Sequence, residues 1–170
     1  HMFSSEDRRK VVEKKDMYID IGAVNRDEVN ESGIRLGDPI IPQASFTPMI
    51  NGKTYLSKAF DDRVGVALIV SAFQELQSQD HPNSIFGVAT VQEEIGVRGA
   101  TTSVHAVDPD IAIILEVDIA GDVPGIKDEE SSIRLGGGPT VLIYDARMVP
   151  NLALRDFVVD TAENLDIPVQ

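Results

Sequence analysis

The hydrophobic period changes along the chain, and the changes mark out elements. Val64, Ala67, Leu68, Ser71-Ala72 and Leu76 recur on one helical face, so Val64–Leu76 is predicted to be a helix with one buried side. Ile85–Val91, Ile111–Val117 and Pro139–Tyr144 are instead short and almost continuously apolar, as expected of strands in a sheet covered on both faces. A helix from about Leu152 to Leu165 follows the last of them. Strand, helix, strand, short helix, strand predicts an α/β fold. Upstream, Phe46–Ile50 and Lys53–Lys58 flank Asn51-Gly52, a type I′ hairpin signal.

The first forty or so residues have a different texture. Ser4–Lys15 is polar and reads as a short helix, with Ser4 or Ser5 as N-cap and Glu6-Asp7 in its first turn. Met17–Ile21 alternates and stops at Gly22, which reads as a strand. Asn25–Glu31, stopped by Gly33, reads as a short helix. Asp38-Pro39-Ile40-Ile41-Pro42 is extended, and its prolines place it at an edge or a boundary. A domain boundary is therefore expected near Gln43, separating residues 1–43 from 44–170. No repeat or low-complexity tract is present.

Charge narrows the function classes. Fifteen Lys and Arg against twenty-eight Asp and Glu give a net charge of −13, which argues against a nucleic-acid partner, since phosphate neutralisation needs basic patches. No apolar run approaches the roughly 18–20 residues of a membrane span, so no membrane partner is expected and a cytoplasmic location is the default. The chain has no Cys, so a metal site would have to be built from carboxylates and imidazoles.

Three acidic pairs fall where such chemistry would sit. Asp61-Asp62 follows a predicted strand and precedes a helix; Glu93-Glu94 follows Ile85–Val91; Glu116 and Asp118 end Ile111–Val117, with Asp122 just beyond. Open α/β sheets bind ligands at the carboxyl ends of their strands. Carboxylates converging there repel unless protons or cations compensate them, and a pair of divalent ions sharing a carboxylate is a hydrolytic solution. Each pair also has a plainer reading. Asp61-Asp62 fits a helix N-cap equally well, Glu93-Glu94 taken alone fits surface charge, and Glu116 in an apolar strand needs a partner or an exposed face. Gly136-Gly137-Gly138 fits a tight loop better than a ligand cradle. His81 sits in a polar turn, and His105 follows the short helix after Gly99; neither lies beside the acids.

Three ordered stretches carry a family resemblance: Lys58-Ala59-Phe60-Asp61-Asp62-Arg63-Val64-Gly65, Val91-Gln92-Glu93-Glu94-Ile95-Gly96-Val97-Arg98-Gly99-Ala100, and Leu115-Glu116-Val117-Asp118-Ile119-Ala120-Gly121-Asp122-Val123-Pro124-Gly125. The chain resembles the tetrahedral (TET) family of dinuclear metallo-aminopeptidases, whose members also carry the names glutamyl or deblocking aminopeptidase and cellulase M-like endoglucanase. The resemblance extends through Tyr18-Ile19-Asp20-Ile21-Gly22 and Leu135-Gly136-Gly137-Gly138-Pro139. It implies Asp61 as the carboxylate bridging two divalent ions (zinc, cobalt or manganese), with a cis Asp61–Asp62 peptide. It implies Glu93 as the general base that activates a water, Glu94 as a ligand of one ion and Glu116 as a ligand of the other. The implied fold is a phosphorylase/hydrolase-like α/β/α domain carrying an inserted PDZ-like β domain, assembled as a twelve-subunit homo-oligomer acting on peptide substrates. Residues 1–43 would then be the last part of the insert, and 44–170 the central part of the catalytic domain.

The resemblance also implies two His ligands, one in a His-x-Asp motif ahead of this stretch and one beyond it. His1 is followed by Met2-Phe3 and does not supply the motif. The sequence is thus expected to be an internal fragment, inactive by itself. Two other functions compete with an aminopeptidase. A carbohydrate hydrolase would use paired carboxylates without metal, but the chain has no Trp and 5% aromatic residues, which leaves little for stacking sugars. The other is a catalytically silent assembly module.

Overall fold

Asn25 has the side chain that a helix start requires, and the chain uses it. In the computed structural model, which describes residues 6–127 and 129–170, Asn25 Oδ1 accepts from the Glu28 N–H at 3.0 Å, while Glu28 Oε2 accepts from the Val24 N–H at 3.0 Å. This reciprocal capping opens α1, Arg26–Glu31. Gly33, at φ +82°, turns the chain away afterwards. The polar stretch before α1 departs from expectation. Ser4 and Ser5 lie outside the described residues, and beyond them the chain makes two single 3₁₀ turns, Asp7–Arg9 and Lys14–Asp16, rather than one helix. Met17–Ile21 is extended but joins no ladder among the described residues.

Residue contacts divide the chain into a unit ending at Ala44 and a second unit, Ser45–Gln170. The second begins with a hairpin in which β1, Thr47–Pro48, pairs antiparallel with β2, Tyr55–Leu56. Phe46 and Tyr55 stack across it at 5.1 Å. Its loop is not the expected type I′ turn. Only Gly52 of the central pair has positive φ, and Asn51 Oδ1 instead accepts from the Lys53 and Thr54 N–H groups at 3.0 Å each. An Asx turn thus replaces the two-residue turn.

Three helices follow: α2, Phe60–Leu76; α3, Arg98–Val107; and α4, Leu152–Asn164. Asn151 caps α4 by accepting from the Leu154 N–H at 3.0 Å. Gly87 lets the apolar stretch 85–91 lie against α2, because a Cβ there would meet Ile69 Cγ2 at 2.7 Å and Phe73 Cε2 at 2.9 Å. Contrary to the expected α/β sheet, the stretches 85–91, 111–117 and 139–144 run extended without a strand ladder among the described residues. One pairing begins beyond α4: the Gln170 N–H donates to Pro139 O at 3.0 Å and the Val141 N–H donates to Gln170 O at 2.9 Å, the parallel pattern. Extended stretch, helix and parallel return make the start of a βαβ unit. Continuous hydrophobicity marks a stretch that needs cover; it does not say which residues cover it. That is why hydrophobicity alone does not decide whether these stretches form ladders.

Candidate active site

The first acidic pair splits into two roles. Ala59 precedes α2 in the left-handed region (φ 61°), and the Asp61–Asp62 peptide is cis, as the resemblance implied. Asp61 (φ −82°, ψ 110°) and Asp62 (φ −117°, ψ 54°) are off helical geometry, so the regular helix starts after them. Asp62 then does what an N-cap does: its Oδ1 accepts from the Gly65 N–H at 2.8 Å. Gly65 is buried, and a Cβ there would run into the Asp62 carboxylate, reaching Oδ1 at 2.7 Å. The plain capping explanation therefore belongs to Asp62, and Asp61 stands apart from it.

The second pair sits in a closed loop. Beyond the extended stretch, Gln92 turns left-handed (φ 59°). The Gly96 and Val97 N–H groups donate to Glu93 O at 2.9 and 2.8 Å, Arg98 N–H to Gln92 O at 3.2 Å, and Gly99 N–H to Val91 O at 2.9 Å. Val97 closes the loop at φ 56°, and for a β-branched residue that is a costly conformation of the sort concentrated at functional sites. Glu93 and Glu94 are carried on this loop, both exposed.

Glu116 feels the acids of the other two stretches. The Val117 N–H donates to its carboxylate at 3.0 Å, which lowers its pKa. Partial desolvation and the negative charges of Asp62, Asp61 and Glu93 outweigh that bond, so the carboxyl titrates above its ordinary value. Acids from three separate stretches thus act on one another. Glu94 is not among the charges acting on Glu116. Asp122 is engaged elsewhere, accepting from the Leu135 N–H at 3.2 Å.

These donors suit a divalent cation in kind, being hard carboxylate oxygens whose mutual repulsion a cation relieves. They do not close a cage by themselves: no group of three His, Cys, Asp or Glu able to hold a metal ion is gathered among the described residues. His81 instead pairs its Nδ1 with Asn83 O at 2.9 Å, and His105 lies exposed on α3. The triple glycine proves structural. A Cβ on Gly137 would meet the Gln170 side-chain oxygen at 2.8 Å, and one on Gly138 would strike Pro168 O. A hollow lined by Ile69, Val70, Phe73 and Gly87 lies about 12 Å or more along α2 from Asp61 and contains no acid, so it is a gap in helix packing. Sequence reasoning passed over Gly65 and Gly99. Their signal was a glycine inside or at the head of a helical pattern, just after an acidic pair.

The class to which the chain belongs comes from comparison with known proteins. The whole chain matches a crystal structure of a TET aminopeptidase from the marine sediment archaeon Thaumarchaeota archaeon SCGC AB-539-E09, with a TM-score of 0.92 and 48% sequence identity, covering 48% of that chain. Residues 1–170 match the family described as M42 glutamyl aminopeptidase, and the chain belongs to that family. Among curated relatives, glutamyl aminopeptidase of Lactococcus lactis subsp. cremoris is 32% identical over 155 residues, 91% of this chain and 42% of its own length. Lysyl aminopeptidase of Pyrococcus furiosus is 31% identical over 166 residues, 98% of this chain and 46% of its own. The chain spans about half the length of the curated relatives it matches.

Proposed function

We propose that the protein is a metal-dependent aminopeptidase that removes N-terminal residues from peptides. The observation that carries this reading is membership of the M42 family along the whole length of the chain, and the charges of Asp61 and Glu93 acting on Glu116 agree with it. Asp61 would be shared between two divalent cations (zinc, cobalt or manganese), with Glu94 serving one and Glu116 the other. When bound, such cations acidify a water and polarise the scissile carbonyl. Glu93 takes a proton from the attacking water onto its carboxylate and delivers it to the departing amine nitrogen. Asp62 stays at the head of α2 and fixes the backbone beside Asp61. On the same reading residues 1–43 belong to a PDZ-like β insert, residues 44–170 to an α/β/α catalytic domain, and the active particle is a homo-oligomer.

The test is hydrolysis of leucyl- and glutamyl-nitroanilide by the polypeptide as its gene encodes it, before and after EDTA, with cobalt or zinc then restored. Turnover that disappears with chelation and returns with metal supports the reading. Chelator-resistant cleavage of a β-glucan without nitroanilide turnover would replace it with a carbohydrate hydrolase.

A further inference from the structure

We infer that Gly99 is a positioning residue for Glu93 and Glu94, an inference that rests on the metal site proposed above. A Cβ at Gly99 would press on Val91 O and lie 2.5 Å from Val91 N. These are backbone atoms, so no side-chain rotation relieves the clash. Val91 and Gly99 are also the two ends of the loop, joined by the 2.9 Å bond from Gly99 N–H to Val91 O. Between those ends lie both glutamates, together with left-handed Gln92 and Val97. Any side chain at 99 therefore opens the loop at its neck and swings Glu93 away from Asp61 and Glu116. At Gly96, inside the same loop, a Cβ would meet nothing within 4 Å and glycine answers instead to a φ of +119°, so the steric clash is confined to the neck. A small displacement suffices, because groups that orient ligands are typically worth about 10–100-fold in metal affinity.

The experiment is a cobalt titration, by calorimetry and visible absorption, of wild type, Gly99→Ala and Thr102→Ala, with the thermal stability of each in EDTA. Thr102→Ala loses hydroxyl bonds to Arg98 O and Gly99 O at 3.4 and 2.9 Å, so it alters α3 without touching Val91. Gly99→Ala should lose about 10–100-fold in cobalt affinity and show an altered cobalt spectrum, while Thr102→Ala keeps the affinity and spectrum of the wild type. Equal affinity in wild type and Gly99→Ala overturns the inference alone. A wild type that takes up no cobalt overturns the metal site and this inference with it. If Gly99→Ala does not fold, amide exchange in the wild type decides: Gly96, Val97 and Gly99 should exchange slowly as one group, and exchange at free-peptide rates overturns the closed neck.

Discussion

Glu93 and Glu94 are successive residues of the closed loop beyond left-handed Gln92, and the proposed reading gives them different roles. If Glu93 carries the proton, Glu93→Gln keeps shape and metal while kcat falls by about 10²–10⁴-fold. Glu94→Gln should instead lower metal occupancy, and excess metal should partly restore activity. Bound metal and kcat measured on both variants settle the assignment, and the opposite pattern would exchange the two roles. Asp145 offers a check unconnected with the site. The Arg147 and Met148 N–H groups donate to its Oδ1 at 2.6 and 2.7 Å and hold its pKa below the ordinary value. A lowered carboxyl pKa means that the unfolded chain binds the proton more readily. The stabilisation is therefore present above the unfolded value of about 3.9 and is lost as pH falls through the folded one. Unfolding measured between about pH 5.5 and 2.5 should show a steeper acid loss in wild type than in Asp145→Asn; parallel curves would contradict those two hydrogen bonds. At this scale the acids were legible because their residue types and places advertise chemistry. The split between Asp61 and Asp62 was not, because it depends on which carboxylate reaches the Gly65 N–H.

Among elements, helix starts were the easiest to read and strand pairings the hardest. Asn25 and Asn151 sit three residues before the N–H groups they accept from, so each cap is written in a few neighbouring residues. Asn151→Ala should cost the second unit about 1 kcal/mol, read from denaturant unfolding; no change would show that α4 draws nothing from its cap. Pairing between 139–141 and Gln170 spans a whole helix, and no local pattern announces it. Gly136 and Gly138 separate the conformational demand from the packing demand. Both have positive φ, 83° and 104°, but only at Gly138 would a Cβ strike the returning Pro168 carbonyl. Gly136→Ala should cost about 1–2 kcal/mol for its left-handed conformation alone. Gly138→Ala should cost distinctly more and lose the slow exchange of the Gln170 amide. Equal costs would mean that the parallel return does not press on the loop.

For the whole molecule the measure is surface. Ile111, Ile113 and Ile114 are 65%, 69% and 71% exposed, although their stretch has the composition of a doubly covered strand. Residues 1–170 by themselves should accordingly bind an apolar dye such as ANS and unfold with a shallow denaturant dependence. A sharp transition without dye binding would show that these stretches find cover within this chain. The family could be read from three acidic motifs because each is a contiguous run of residues; which stretches pair could not, because pairing joins residues far apart in the chain. The central claim, that acids from three stretches form a dinuclear metal site with Asp61 shared, is tested most directly by equilibrium dialysis against cobalt. Wild type and Asp61→Ala, each as the gene encodes the rest of the chain, should differ: about two ions per chain in wild type, and neither ion held tightly in the variant. Equal uptake by the two proteins, or none by the wild type, would contradict it.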